Sequence, residues 1–283
     1  MAFNTKTFVT RTASAAVFVL VLLSCVWLNP VSLVLFFSLV GFIGVNEFYK
    51  LAEKTGKHSN KIIGFVLHAL LIGSIFFLYK FDLYSLKPYL LTAVLALPVY
   101  LLVELFKEKR ALFNVPALIL SFLYVSLPCA LLILISGAQK EIVNAEINFE
   151  PQKVLGLIFF IWINDTGAYL VGSFLGKHKL YERISPNKTW EGTLGGIILC
   201  IALSFVMVQI FPQLALKNWV AIAVIVAVFG TLGDLVESML KRMAGVKDSG
   251  NIMPGHGGVL DRFDSLFFSA PFVFTYLAAT GNL

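Results

Sequence analysis

Apolar runs of roughly 18 or more residues recur along the chain, and each is long enough to cross a bilayer as a helix. Inside hydrocarbon a backbone must satisfy its own hydrogen bonds, which leaves helices or a closed barrel. The runs are continuous rather than alternating, so they read as helices. Composition points the same way. Hydrophobic residues make up 58% of the 283 and charged residues 13%, with a mean hydropathy of +0.86. A soluble domain carries about 25% charged residues. The expected fold class is all-α, a polytopic integral membrane protein.

Nine spans are expected, at 8–28, 31–49, 61–79, 88–106, 113–136, 153–175, 192–211, 217–240 and 263–280. Asn29-Pro30 is a turn signal between the first two. Pro98, Pro116 and Pro128 fall inside spans, where neighbouring helices can satisfy the freed carbonyls. The first apolar run follows Lys6 and Arg11 and imitates a signal peptide. No small-x-small cleavage site follows it, so it is read as a first transmembrane helix. Cys25, Cys129 and Cys200 lie far apart in apolar runs and suit packing better than zinc or disulfides.

With nine spans, the N-terminus and four loops share one side, which holds 17 Lys and Arg against 5 on the other. The positive-inside rule makes the rich side cytoplasmic. The net charge of +6 then reflects orientation and attraction to anionic lipid, and nucleic-acid binding is not needed to explain it. The expected location is the inner (cytoplasmic) membrane, multi-pass, with the polar loops 176–191 and 242–262 in the cytoplasm.

The ten Glu are scattered, but five of the six Asp fall after residue 163. The chain divides accordingly. Residues 1–150, about five spans, read as scaffold; residues 151–283, about four spans, read as the catalytic region. Asp165 sits well inside a span, where an Asp costs about 2.5–3.5 kcal/mol on insertion scales. Such a residue lines a polar cavity or makes a helix–helix hydrogen bond. Gly167, Gly172 and Gly176 nearby permit close helix approach. Asp234, Glu237, Ser238 and Lys241 are spaced to share one helical face; a ladder from the acids to Lys241 or Arg242 is the plainer reading. Asp261 and Asp264 open the last span, where first-turn acids are common starters. Together with Asp234 they form a carboxylate cluster at one end of two helices.

Such a cluster needs a compensating charge. Mg²⁺ supplies it, held by one or two carboxylates and substrate phosphates. The basic residues around it, Lys188, Lys241, Arg242, Lys247 and Arg262, suit a polyphosphate. In the loop KHKLYERISPNKTWEGTLGG, Ser185-Pro186-Asn187 is read as a turn, with Lys188 and Thr189 ahead of a helix start that can receive a phosphate. The stretch KDSGNIMPGHGGVLDRFDS (247–265) places His256 among glycines, where it can face a phosphate or the surface equally well. His178 reads as a surface residue. No Walker or kinase glycine motif is present.

The run from Ser238 to Asp264, with GDLVES (233–238), SPNKTWEG (185–192) and NDTGAYLVG (164–172), resembles the phosphatidate cytidylyltransferases, or CDP-diacylglycerol synthases. The resemblance covers about residues 155–270, and Met253 is a mild departure. It implies a Mg²⁺-dependent enzyme that joins CTP to phosphatidic acid, giving CDP-diacylglycerol and pyrophosphate. A second, monovalent cation is left open. It further implies Asp234 and Asp261 as metal ligands, with Asp264 and Glu237 close by. Lys188, Lys241, Arg242 and Arg262 would meet phosphates, and Asp165 would line the same cavity. Thr189, Ser238, Lys247 and His256 join the expected phosphate-binding set. A homodimer in the lipid bilayer is expected.

Two other functions compete. An ion-coupled transporter would concentrate its polarity near the midplane, whereas here it is weighted to one face. A membrane lipid or polyprenol kinase or phosphotransferase would use the same metal logic. The long SxxKR…KD…HGGxxDRxD pattern separates it from the cytidylyltransferases.

Overall fold

The computed structural model describes residues 5–56, 61–80, 115–144, 149–252 and 257–283. The chain runs as α1 (Thr5–Trp27), α2 (Pro30–Lys54), α3 (Lys61–Lys80), α4 (Val115–Ser121), a π turn (Phe122–Ser126), α5 (Leu127–Ile135), α6 (Ala138–Asn144) and α7 (Pro151–Leu175). A hairpin of β1 (Lys179–Tyr181) and β2 (Ser185–Thr189) follows, then α8 (Trp190–Ile210), α9 (Leu216–Met243) and α10 (Leu260–Ala279). Five stretches are long and apolar enough to cross a membrane: α2, Pro116–Ile135, α7, α8 and α9. Shorter apolar helices cover Thr12–Trp27 and Lys61–Phe76. The all-α membrane class holds, with one small hairpin added. The expected span 88–106 lies outside the described residues.

Local chemistry explains the joints. Asn29 is extended and its side chain accepts from Ser32 N at 2.8 Å, with Pro30 in the first helical position, an N-cap followed by the residue best suited to start a helix. The fifth span carries its π turn just ahead of Pro128, and Leu127 N bonds Phe122 O five residues back. Proline removes one backbone bond and crowds the preceding turn, and a widened turn accommodates that in place.

The core pairs the later helices with α2 and α5. Phe37, Trp219, Phe263 and Phe267 are fully buried within it. Other apolar side chains, among them Leu20, Leu35, Leu39, Leu70, Ile198 and Phe205, are exposed on the outer faces. A water-soluble protein avoids so extensive an apolar surface, but lipid accepts it.

The seam between α7 and α8 is made of glycine. A Cβ on Gly167 would lie 3.1 Å from Gly196 Cα, and one on Gly192 would lie 3.2 Å from Gly172 Cα. Small residues let two backbones approach this closely in a membrane, so the packing role expected for Gly167 and Gly172 fits.

One local expectation is corrected. Ser185-Pro186-Asn187 is not a turn but the start of β2; the turn is Glu182–Ile184. Lys179 pairs with Thr189 and Tyr181 with Ser185, with an irregularity between the two pairs. Proline is confined to edges and bulges because it cannot donate to a ladder, and here Pro186 falls in that irregular stretch.

Candidate active site

Three helices and the hairpin converge on one polar region. On α9, Asp234, Glu237, Ser238 and Lys241 do share a face. Ser238 Oγ donates to Asp234 Oδ1 at 3.3 Å, and Lys241 is ion-paired with Glu237. One oxygen each from Asp234, Glu237 and Asp264 lies within 4.8 Å of the other two. Glu237 is 1% exposed, and its Oε1 finds no hydrogen-bond donor among the described residues. Buried acceptors are almost always satisfied, and like charges this close repel. Three acids with an orphaned buried oxygen make a donor set that fits a hard divalent cation.

Asp261 sits differently. Its Oδ2 accepts from Ser249 N at 2.8 Å, Ser249 Oγ at 2.9 Å and Gly258 N at 2.7 Å, and its Oδ1 meets Lys241 Nζ at 2.6 Å. The sequence reading joins Asp261 to Asp234 as ligands; the structure groups Glu237 and Asp264 with Asp234, and gives Asp261 to Lys241. Lys241 thus links the acidic group to the loop ahead of α10.

The hairpin delivers the second cation. Lys188, on β2, is ion-paired with Asp234. Its position is fixed by Thr189, whose Oγ1 caps α8 by accepting from Gly192 N at 3.1 Å. His178, expected at the surface, is exposed and bonded to Glu191: its Nδ1 lies 2.6 Å from Oε1, and its backbone N–H also donates to that carboxylate. This ties the entry to the hairpin to the first turn of α8. Asp165, Lys188, Thr189 and Asp234 line a cavity of about 310 Å³ with Asn164, Tyr169 and Asn187. Asp165 therefore takes the polar-cavity placement, one of the two expected for it.

Other expected residues lie at the edges of this region. Arg242 and Arg262 are exposed, one in the last turn of α9 and one in the first turn of α10. Lys247 lines a separate cavity of about 790 Å³ with Lys50, Lys54 and Asp248. His256 lies outside the described residues.

Sequence reasoning misses four residues. Glu47, on α2 and 2% exposed, accepts from Val259 N at 3.0 Å and Leu260 N at 2.9 Å. Ser249 bridges Glu47 and Asp261. Tyr124, in the π turn, buries a hydroxyl with no partner among the described residues. Asn164 donates to Thr231 Oγ1 at 3.2 Å and leaves its Oδ1 without a donor among the described residues. Glu47 carried a signal as an acid inside an expected span, and Ser249 and Asn164 lie within the quoted motifs without being singled out.

The arrangement defines a class: a helical membrane protein with a group of acids flanked by lysines at one end of its spans. The chain belongs to the cytidylyltransferase family, whose sequence profile matches residues 9–280. It is 51% identical over 139 residues to the phosphatidate cytidylyltransferase of Bacillus subtilis (strain 168), covering 47% of this chain and 51% of that protein. It is 50% identical over 129 residues to the phosphatidate cytidylyltransferase of Staphylococcus epidermidis, covering 45% of this chain and 49% of the relative. The aligned part thus spans about half the length of these relatives.

Proposed function

We propose that the protein transfers CMP from CTP to phosphatidic acid, forming CDP-diacylglycerol and pyrophosphate. The observation that carries this reading is the acid group of Asp234, Glu237 and Asp264, with the orphaned Glu237 oxygen, set between Lys188 and Lys241. Family membership and the names of the relatives support it over an ion-coupled transporter or a lipid kinase.

Asp234, Glu237 and Asp264 would hold Mg²⁺, which when bound neutralises the triphosphate and stabilises the attacking and leaving oxygens. The chain's own residues do the rest. Lys188, at the cavity mouth, meets substrate phosphate in exchange for Asp234. Lys241, held by Asp261, directs its charge to the oxygens that become more negative as the reaction proceeds. A phosphatidate oxygen attacks the α-phosphorus of CTP. The new P–O bond forms as the α–β bridging bond breaks, and pyrophosphate leaves with that electron pair. The monoester is already largely ionised at neutral pH, so no strong general base is required. Asp165 and Thr189 line the cavity in which headgroup and nucleotide would meet, and Ser238 donates to Asp234 beside it; Arg242, Lys247, Arg262 and His256 complete the proposed set of phosphate contacts.

The 17-to-5 charge asymmetry supports a cytoplasmic site in the inner membrane, where soluble CTP and membrane lipid meet. A homodimer is part of the same proposal. The test is purified protein with phosphatidic acid, labelled CTP and Mg²⁺. CDP-diacylglycerol and pyrophosphate should form in equal amounts, a chelator should stop the reaction, and Asp264→Asn should lower turnover by at least about 100-fold. No lipid-linked label in the wild type would refute the reading.

A further inference from the structure

The loop between α9 and α10 wraps around two carboxylates, and one comes from the opposite half of the chain. Glu47 stands on the last turns of α2, 2% exposed. Its Oε1 accepts from Val259 N at 3.0 Å; its Oε2 accepts from Leu260 N at 2.9 Å and lies 3.1 Å from Ser249 Oγ. Ser249 Oγ also lies 2.9 Å from Asp261 Oδ2, so one hydroxyl proton serves two carboxylates. The loop's glycines fit this arrangement. A Cβ on Gly250 or Gly258 would run into the Glu47 carboxylate, and one on Gly257, at φ +85°, into Asp261. The glycines of this stretch therefore allow backbone to close around buried acids.

From Glu47 the bonds continue inward. Ser249 and Gly258 N hold Asp261, Asp261 holds Lys241 at 2.6 Å, and Lys241 is paired with Glu237 of the acid group. We propose that Glu47 is a positioning residue for the transferase reaction. It clamps the first turn of α10 and Ser249, and through Asp261 it sets Lys241 against the acid group. The proposal rests on the activity assigned above.

The geometry selects the probe. A glutamine at 47 keeps the shape but turns one of the two oxygens into an NH₂, so in the same pose Val259 N or Leu260 N faces a donor instead of an acceptor. Ser249→Ala removes the hydroxyl that Glu47 and Asp261 share and leaves the backbone N–H bond to Asp261. Glu53→Gln is the control, because Glu53 lies on the same helix and pairs outward with Lys61 at 3.1 Å. The measurements are kcat and KM for CTP and phosphatidic acid in mixed micelles, and hydrogen exchange of the backbone amides. Wild-type turnover comes first: its absence refutes the function, not the clamp, which the exchange data then test alone.

With an active wild type, Glu47→Gln and Ser249→Ala should each lower kcat by about 10–100-fold, the range seen when outer partners of a site's residues are removed. Both KM values should stay within about threefold, and Glu53→Gln should match the wild type. Exchange should quicken at 249 and 258–262 and stay unchanged across α7 and α8. The proposal is overturned if Glu47→Gln keeps more than half the wild-type kcat, if the loss appears only in KM, or if exchange quickens equally throughout. Should Glu47→Gln fail to fold, Ser249→Ala decides: wild-type kcat and exchange in that variant overturn the clamp.

Discussion

Lys241→Met tests the electrostatic logic of the site most directly. Lys241 is 14% exposed at its side chain and faces two acids, Glu237 at 1% and Asp261 at 6%. Methionine keeps most of its volume and removes its charge. Asp261 retains three donors, two from Ser249 and one from Gly258. Glu237 retains none among the described residues, and its neighbours Asp234 and Asp264 are also acids. Removing one partner of a buried pair costs about 3–5 kcal/mol, and the loss should fall almost entirely on Glu237. The double variant Lys241→Met with Glu237→Gln removes both charges, and neutral replacement of a buried pair is often close to neutral. It should therefore recover at least about 2 kcal/mol of that loss, while turnover stays as low as in the single variant. The assay is reversible unfolding in mixed micelles, followed by tryptophan fluorescence, beside CDP-diacylglycerol formation. A single variant within about 1 kcal/mol of wild type, or a double variant no more stable than the single, would refute the reasoning.

Two further outcomes follow from the hairpin. Lys188→Met breaks a pair whose side chains are 25% and 35% exposed; stability should change by less than about 1 kcal/mol, while the KM for CTP rises several-fold in steady-state assays. Thr189→Ala removes the cap of α8 and should cost about 1 kcal/mol in the same unfolding assay. Turnover falling more than about threefold in that variant would mean that Thr189 meets substrate as well as capping.

Spans were legible because lipid imposes length and apolarity on every crossing, and the glycine seam was legible because close approach needs small residues. The face carrying Asp234, Glu237, Ser238 and Lys241 followed from helical spacing alone. What spacing cannot supply is the partner across space. Asp261 and Asp264 are three residues apart, yet one turns to Lys241 and Ser249 and the other to Asp234 and Glu237. The hairpin was hidden because Ser-Pro-Asn is a turn signal, and only pairing with Lys179–Tyr181 makes it a strand. Glu47 escaped because the scattered Glu looked uninformative beside the clustered Asp. Its bonds reach residues 202 to 213 positions away.

That separation governs the order of assembly. The ribosome makes α2 well before α10, so until the later segment emerges Glu47 is an acid in a greasy helix without its eventual donors. Contacts this distant in sequence form late and fold slowly. An acid left without its donors inside an apolar span therefore marks the bundle as unfinished until Ser249, Val259 and Leu260 reach it.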